Sequence, residues 1–265
     1  MSGIFNFSGQ HVFVAGGSSG INLGIADAFA RAGAKVAILS RNAERVAGAV
    51  ESLRRHGGEV LGCTGDVRDA QAVATALEQV HAAFGPIDVV VSGAAGNFVA
   101  PAAGMSANGF KTVIDIDLLG TFNVLRGAYP WLRKPGASLI NISAPQAFVP
   151  MPMQAHVCAA KAGVDMLTRV LAMEWGPEGV RVNSLVPGPI DGTEGMQRLT
   201  PNEAARRAVT AAVPLRRFGS IESVANAALM LCSPLCDYIT GVVLPVDGGA
   251  SLAGPGLFGA GGVTA

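Results

Sequence analysis

The sequence predicts an α/β fold in a single domain, built on a doubly wound parallel sheet. Short runs rich in β-branched residues alternate along the chain with Ala-rich stretches of helical periodicity. The runs are apolar at successive positions, as expected of strands that are covered on both faces. At 265 residues, with 50% hydrophobic and 14% charged, the chain can bury one large core.

Seven runs are predicted as strands and six stretches as helices. The strands are His11–Ala15, Val36–Leu39, Val60–Cys63, Ile87–Val91, Ser138–Ile142, Arg181–Val186 and Val242–Val246. The helices are expected at about 20–32, 42–55, 69–84, 108–133, 154–175 and 221–231. Because right-handed crossovers join parallel strands, this order puts helices on both faces of one sheet. The domain is expected to occupy residues 1–250, followed by a Gly-rich tail at 251–265 with little regular structure.

The charge balance and the apolar segments argue against nucleic acid and membranes as binding partners. Nineteen basic residues match nineteen acidic ones, so nothing indicates binding to nucleic acid or to an anionic membrane. Residues 89–110 are uncharged, but Gly, Asn and Pro interrupt them, which favours a buried strand and loop over a membrane span. We see no secretion signal and no Ser-Lys-Leu terminus. The four cysteines are expected to be unpaired and no metal site is predicted, so we expect a cytoplasmic protein.

The first predicted strand runs into a glycine-containing loop that begins the first helix. Gly16 and Gly20 allow a tight turn and let backbone amides approach a pyrophosphate, whose charge suits a helix N-terminus. Directly after the first strand of an alternating chain, this loop predicts a Rossmann fold with a dinucleotide site, although a plain turn is the alternative. Asn22 stands where a third glycine is usual. The expected contacts are Gly16, Ser18, Ser19, Gly20 and Ile21.

The ends of the next strands predict NADPH rather than NADH. No carboxylate stands where a ribose 2′-hydroxyl would be held, whereas Arg41 offers a guanidinium fork for a 2′-phosphate. A solvated cation is the alternative for Arg41. Asp66 and Val67 are placed to meet the adenine, unless Asp66 is only a loop carboxylate near a helix start. Gly93, Ala94 and their small neighbours end the fourth strand and allow close approach to the ribose.

Further strings resemble the short-chain dehydrogenase/reductase family over about residues 8–250. They are Asp117-Leu118-Leu119-Gly120, Lys161, Pro187-Gly188 and Val246-Asp247-Gly248-Gly249. The resemblance implies a nicotinamide cofactor flanked by Pro187, Gly188, Ile190 and Thr193, with Lys161 reaching the nicotinamide ribose. Members usually carry an Asn-Ser-Tyr-Lys tetrad. The corresponding residues in this chain are Asp117, Ala144, Val157 and Lys161.

The missing tyrosine belongs to a narrower resemblance, to the 2,4-dienoyl-CoA reductases and above all to their peroxisomal type. That type also lacks the tyrosine and serine and is thought to use an Asp–Lys pair. The similar strings are 94–98, 110–117, 120–124, 174–177, 187–190 and 192–195. The resemblance implies NADPH-dependent reduction of a 2,4-dienoyl-CoA, an acyl-CoA substrate, to a 3-enoyl-CoA. It also implies a homotetramer built through the helices near 108–133 and 154–175. It also implies substrate contacts at Phe98, Ser106, Asn108 and Arg198, where Arg198 could instead be an ordinary surface charge.

Conjugate reduction explains why a tyrosine is dispensable. In ketone reduction the phenol protonates the oxygen on the carbon that receives hydride, and losing it costs about 10²–10⁴-fold in rate. In a dienoyl thioester the charge spreads to the thioester oxygen, and the proton goes from water to a carbon. Asp117 and Lys161 are the predicted catalytic pair that holds this water, unless Asp117 forms only a structural ion pair.

Some residues near this pair stay without an assigned role in the sequence. His156 adjoins the vacated tyrosine position, but a helical neighbour points about 100° away, so we expect a loop or interface histidine, with a catalytic acid as the alternative. No residue can be named that stabilises the thioester oxygen. Residues 191–212 are polar and broken by glycine and proline, and are expected to form a lid.

Two other functions remain possible from the sequence alone. One is reduction of another activated acyl substrate, such as a 2-enoyl or 3-ketoacyl thioester. The other is a catalytically silent NADPH-binding protein. Asp117 in place of asparagine, with Lys161 retained, argues against simple loss of the site.

Overall fold

The computed structural model describes residues 5–254, and in this range seven strands form one sheet. The order is β3-β2-β1-β4-β5-β6-β7, and every neighbouring pair is parallel. The predicted doubly wound parallel sheet, the Rossmann arrangement, is confirmed. The strands are β1 His11–Ala15, β2 Lys35–Ser40, β3 Val60–Thr64, β4 Val89–Ser92, β5 Ser138–Ile142, β6 Arg181–Pro187 and β7 Val243–Val246.

Helices cover both faces of the sheet. All six predicted helical stretches are helical, and two short helices lie within the predicted lid at 191–212. The α-helices of the described chain are α1 Gly20–Arg31, α2 Ala43–Arg54, α3 Ala70–Phe84, α4 Ala107–Val113, α5 Gly120–Ala128, α6 Ala155–Trp175, α7 Glu194–Leu199, α8 Glu203–Ala212 and α9 Ile221–Cys232.

The core consists of two layers of buried side chains, one on each face of the sheet. Along β1, Val12 and Val14 belong to one layer and Phe13 to the other, because successive side chains of a strand point to opposite faces. All five residues of β1 are buried. This central position leaves the carboxyl edge of the sheet as the place where loops can build a site.

The stretch predicted as one helix over 108–133 is helical but is not a single helix. Between α4 and α5 the chain makes a wider π turn, Ile114–Leu119, and it ends in a 3₁₀ turn after α5. Such π segments occur often at functional sites, because the extra residue redirects the side chains around it. Here the π turn contains Asp117, which is buried. The turn that departs from the predicted α-helix therefore contains a predicted catalytic residue.

Smaller corrections concern strand ends and the tail. Ile87 lies outside β4 and pairs as an isolated bridge with Leu132, and β7 begins one residue after Val242. The first residues of the predicted Gly-rich tail form a 3₁₀ turn, Ala250–Ala253, and the rest of the tail at 255–265 lies outside the described residues.

Two general features of the described residues bear on the expected class of protein. No helix within 5–254 has the length and apolar character needed to cross a bilayer. The four cysteines are unpaired, and in the same range no group of three or more potential ligand side chains could hold a metal ion.

Candidate active site

A cleft of about 670 Å³ lies at the carboxyl ends of β1, β2 and β4, where the strand order reverses. Ligands of doubly wound sheets bind at this switch point. A cleft of about 750 Å³ at the opposite edge, around Asp88, Arg133 and Cys232, contains none of the predicted site residues. We therefore assign the cofactor site to the first cleft. Of the predicted cofactor contacts, its wall contains Gly16, Ser18, Ser19, Arg41, Asp66, Val67, Gly93 and Ala94.

The loop between β1 and α1 has the shape that a pyrophosphate requires. Gly16 has φ +78°, and a Cβ there would lie 2.8 Å from the amide nitrogen of Ala94. Ser19 precedes α1, but its side chain makes no capping hydrogen bond, and Gly20 begins the helix with φ +56°. The first amides of α1 are therefore available to an anion, which the helix dipole also favours. Ile21 follows in the first turn of this helix.

Asn22, in place of the third glycine, ties α1 to the end of β4. Its Nδ2 donates a hydrogen bond to the carbonyl oxygen of Gly93 at 2.7 Å. A Cβ at residue 93 would lie 2.1 Å from Asn22 Oδ1. The unusual asparagine therefore fits because residue 93 has no side chain.

The end of the cleft at β2 has two arginines and two carboxylates on its wall, Arg41 and Arg45 with Asp66 and Glu194. Ser40, at the end of β2, accepts a hydrogen bond from the hydroxyl of Ser18 at 2.8 Å, and no carboxylate stands there. Arg41 and Arg45 both lie on the wall, together with Glu194 from α7, which is 3.8 Å from Arg45. The predicted lid thus reaches the wall of the cleft beside Arg45.

Asp66 and Val67 line the cleft, and oxygen atoms of both residues already accept hydrogen bonds. The Arg68 guanidinium donates three hydrogen bonds of 2.6–3.1 Å to the Asp66 carboxylate, and the Arg68 amide donates a fourth at 2.9 Å. These bonds, aided by the more distant charge of Arg41, hold the pKa of Asp66 below its usual value. The carbonyl of Val67 accepts a hydrogen bond from Asn123 at 2.9 Å. The remaining lone pairs of these groups, and the N–H group of Val67, which donates no hydrogen bond within residues 5–254, are left for a ligand.

Asp117 and Lys161 meet in the interior. Lys161 Nζ lies 3.2 Å from Asp117 Oδ2, and the two side chains are 7% and 1% exposed. The amide of Gly96 donates to Asp117 Oδ1 at 2.7 Å, and Lys161 Nζ donates to the carbonyl of Ile142 at 3.0 Å. The contact at Oδ2 lacks hydrogen-bond geometry, so within 5–254 this oxygen has no hydrogen-bond partner. The predicted pair is thus brought together, with one buried carboxylate oxygen that has no hydrogen-bond partner among the described residues.

The two vacated tetrad positions are filled by apolar side chains. Val157 is buried with Val113 and Ala160 in a small apolar cluster between α4 and α6. Ala144 follows β5 with extended backbone and offers only a methyl group. Neither position can donate a proton to a substrate.

Asp165 is a buried carboxylate that sequence reasoning missed. It follows Lys161 by one helical turn and accepts a hydrogen bond from Ser184 at 2.9 Å. Burial raises the pKa of Asp165, and the hydrogen bond from Ser184 opposes that effect. The signal available in the sequence was the spacing of four residues from the lysine.

His156 is not a loop histidine, which corrects the expectation. It lies in the first turn of α6 and is 0% exposed. Its ring meets that of Phe98 edge to face, with 4.3 Å between centroids. Neither ring nitrogen has a hydrogen-bond partner among the described residues.

Three of the four predicted substrate residues lie together on the segment from β4 into α4. The ring of Phe98 is 40% exposed. Ser106 caps α4 by accepting a hydrogen bond from the Gly109 amide at 3.0 Å, and Asn108 is exposed in its first turn. Arg198 lies apart on α7, where it is exposed and pairs with Glu194 at 3.6 Å, as an ordinary helix charge would.

The predicted nicotinamide-flanking residues lie between β6 and α7. Pro187 ends β6. A Cβ at Gly188 would lie 2.5 Å from the Cα of Asp247, so the close approach of the backbone just after β7 requires this glycine. Ile190 is buried. The hydroxyl of Thr193 donates to the Ile190 carbonyl at 2.9 Å and accepts from an amide of α7. This hydroxyl is thus already used to begin the helix.

The predicted lid contains two exposed helices, α7 and α8, rather than an irregular loop. Arg206 of α8 donates two hydrogen bonds, of 3.0 and 2.8 Å, to Asp191 at the start of the segment. This pairing lowers the pKa of Asp191 and fastens the two ends of the segment together.

Comparison with known proteins agrees with this geometry. A family model described as enoyl-(acyl carrier protein) reductase matches residues 15–251. The chain is 45% identical over 245 residues to the peroxisomal 2,4-dienoyl-CoA reductase, (3E)-enoyl-CoA-producing, of Pongo abelii, with 92% of this chain and 84% of that protein covered. It is 37% identical over 241 residues to the probable 2,4-dienoyl-CoA reductase, (2E)-enoyl-CoA-producing, of Bacillus subtilis, with 90% and 95% covered. A crystal structure of a short-chain dehydrogenase from Bacillus anthracis is similar with a TM-score of 0.82 and 35% identity, over 91% of this chain and 96% of that one.

Proposed function

The chain belongs to the short-chain dehydrogenase/reductase family of oxidoreductases, and we propose that it reduces a 2,4-dienoyl-CoA to a 3-enoyl-CoA with NADPH. The observation that carries the proposal is the buried Asp117–Lys161 pair, in a site where valine and alanine replace the usual tyrosine and serine. A relative whose name states this reaction is 45% identical over 92% of the chain, which supports the substrate class.

The cleft suits NADPH in both shape and charge. The uncapped start of α1 and the glycine at residue 16 favour a pyrophosphate, and Arg41 on the wall of the cleft, with Arg45 beside it, offers a guanidinium that suits a 2′-phosphate. Gly93 and Ala94 leave room for the ribose, and Lys161 is expected to reach it. When bound, NADPH supplies a hydride to the far end of the conjugated system.

The chain's own residues then manage the proton. Asp117 Oδ2 accepts one hydrogen of a water molecule, and Lys161 Nζ donates to the oxygen of that water. The second hydrogen of the water goes to the α-carbon of the substrate, on which negative charge has developed. The hydroxide that remains lies beside the lysine ammonium, which stabilises it until solvent returns a proton. No phenol takes part in this sequence.

The acyl-CoA is expected to lie against the segment from β4 into α4. Phe98 offers an apolar wall, and Ser106 and Asn108 offer polar groups at the entrance. Arg198, on helix α7 of the lid, is proposed to meet the CoA phosphates once it leaves Glu194.

One assay tests the proposed reaction. NADPH absorbance is followed with a dienoyl-CoA, a 2-enoyl-CoA and a 3-ketoacyl-CoA, and the product is identified by chromatography. Oxidation with the dienoyl compound alone, yielding a 3-enoyl-CoA, is expected. Turnover of the ketone would contradict the proposal, tight NADPH binding without turnover would favour the silent protein, and a 2-enoyl product would indicate the chemistry named for the Bacillus subtilis relative.

We also propose a homotetramer and a cytoplasmic location. Several apolar side chains on and before α5 and along α6 are exposed, which suits burial against other subunits: Leu119, Phe122, Met166, Val170 and Met173. Light scattering after size exclusion measures the mass. Unpaired cysteines suit a reducing compartment, and because one relative is named peroxisomal, imaging of the tagged full-length chain must separate peroxisome from cytoplasm.

A further inference from the structure

His156 is a fully buried side chain to which the mechanism above gives no role. Both of its ring nitrogens lack a hydrogen-bond partner among residues 5–254. A neutral imidazole always carries one N–H donor and one acceptor, and buried polar groups of native proteins are almost always paired. A leucine or phenylalanine would fill the same space without an unpaired donor. The imidazole is therefore explained best by a partner that arrives with the substrate.

The position of His156 relates it to the catalytic pair. Its ring packs against Phe98, which lies two residues beyond Gly96, and the Gly96 amide holds Asp117 at 2.7 Å. Two residues span at most about 7 Å of extended chain. A hydrogen bond also joins the same segment to the residues before α6, because the Ala100 amide donates to the Met153 carbonyl at 3.0 Å. One short segment thus contacts both the proton-donating site and the histidine.

The start of α6 adds a favourable field at this point. Gln154 precedes the helix, and its side chain makes no capping hydrogen bond. The first amides of a 21-residue helix therefore lie next to His156 without a side-chain acceptor, and they carry the positive end of the helix dipole. Negative charge on a nearby oxygen is stabilised by such an arrangement.

We propose that His156 donates a ring N–H hydrogen bond to the thioester oxygen of the bound acyl-CoA. This role rests on the proposed function and supplies the oxyanion donor that the lost serine and tyrosine do not. The thioester carbon adjoins the α-carbon that is protonated beside Asp117, so the oxygen and the water are handled by neighbouring groups. The half-exposed ring of Phe98 turns aside when the substrate enters. The histidine keeps its proton throughout, and its hydrogen bond strengthens as charge moves onto the oxygen.

The test compares His156→Phe, which fills the space without a donor, with His156→Gln, which keeps an N–H group. The matched control is His81→Phe. His81 also packs on an aromatic ring, Trp131 at 4.5 Å, and also has an unpartnered nitrogen, but it lies at the opposite edge of the sheet. For each protein we would measure kcat, KM for a dienoyl-CoA, the Kd for NADPH, and the absorption band of dienoyl-CoA bound together with NADP⁺.

A hydrogen bond to the thioester oxygen polarises the conjugated system, so the bound dienoyl-CoA of the wild type should absorb at longer wavelength than the free compound. His156→Phe should lose this red shift and lower kcat by about 10²–10³-fold, with the Kd for NADPH unchanged. His156→Gln should recover part of both, and His81→Phe should match the wild type. A kcat of His156→Phe within threefold of the wild type, or a retained red shift, would overturn the role of the histidine.

Two further outcomes distinguish failure of the role of His156 from a folding defect and from failure of the proposed function. If His156→Phe melts at a much lower temperature, His156→Gln decides, because loss of the red shift in that folded variant also overturns the proposal. A wild type that does not oxidise NADPH with dienoyl-CoA refutes the proposed function itself. An active wild type with an unaffected His156→Phe refutes only the role of the histidine.

Discussion

Replacing Asp117 by asparagine removes one charge from the buried pair and nearly nothing else. The amide oxygen of the variant can still accept the Gly96 hydrogen bond of 2.7 Å, so the local backbone should keep its shape. The water would then lose the carboxylate that orients it. Positioned acid–base groups raise reaction rates by about 10²–10⁴-fold, so we expect kcat with a dienoyl-CoA to fall at least about 100-fold.

The same substitution has a calculable effect on stability. At 3.2 Å, two unit charges in a medium of effective dielectric constant about 20 attract by about 5 kcal/mol. Removing one partner of such a pair leaves the Lys161 ammonium buried without a counter-charge, which costs about 3–5 kcal/mol. A double variant, Asp117→Leu with Lys161→Met, should regain most of this stability and remain inactive, because an apolar pair of similar volume avoids the desolvation penalty.

Urea denaturation and NADPH absorbance measure the two effects separately. Asp115→Asn is the matched control, since Asp115 lies in the same π turn but pairs with Lys111, whose side chain is 68% exposed. That variant should lose less than about 1 kcal/mol and keep its activity. The reasoning fails if Asp117→Asn is destabilised yet keeps kcat within threefold of the wild type, because the pair would then be structural only.

Three other substitutions test the cofactor, the vacated tyrosine position and the buried carboxylate. Arg41→Ala should raise KM for NADPH about tenfold to a hundredfold through the loss of charge-assisted hydrogen bonds, and leave KM for NADH unchanged; equal effects on both would refute 2′-phosphate recognition. Val157→Tyr should overfill the apolar cluster, cost about 1–3 kcal/mol in thermal denaturation and give no turnover of 3-ketoacyl-CoA. Because burial raises the folded-state pKa of Asp165 above its unfolded value, the wild type should be most stable relative to Asp165→Asn at low pH. This advantage should disappear as pH rises through the raised pKa of Asp165. The free energy of unfolding falls by about 1.4 kcal/mol for each tenfold difference in the proton affinity of Asp165 between the folded and unfolded states. If urea denaturation gave the same difference in unfolding free energy between the two proteins at every pH, this reasoning would be wrong.

The strands were predictable to within one or two residues because each is a short apolar run between glycine-rich or polar loops. The stretch 108–133 was predicted less well. Its periodicity is helical throughout, but the π turn at Ile114–Leu119 follows from tertiary contacts. A Cβ on Gly120 would lie 2.6 Å from Val67, so the helix must pass close to the loop after β3, a constraint that local sequence does not express.

The candidate site also has features that could be predicted from the sequence and features that depend on tertiary packing. The glycine loop and Arg41 could be identified from the chain, because their chemistry follows from residue type and from their place after strands. The Asp117 and Lys161 positions were implied by the resemblance to the short-chain dehydrogenase/reductase family. The separation of 3.2 Å between Asp117 and Lys161 could not be predicted, since 43 residues of chain lie between them. A helical projection places His156 about 100° from the vacated tyrosine, which says nothing of what it touches.

What the amino-acid order alone determined was the doubly wound sheet, the switch point that binds the nucleotide, and the types of side chain that could act there. These depend on hydrophobic periodicity and on backbone freedom, which are local properties of the chain. Only the tertiary structure decided that one oxygen of Asp117 stays unpartnered beside Lys161, that Asp165 is buried one turn further along α6, and that His156 is enclosed against Phe98. Such relations depend on how distant segments pack, because burial and hydrogen bonding are set by every group that surrounds an atom.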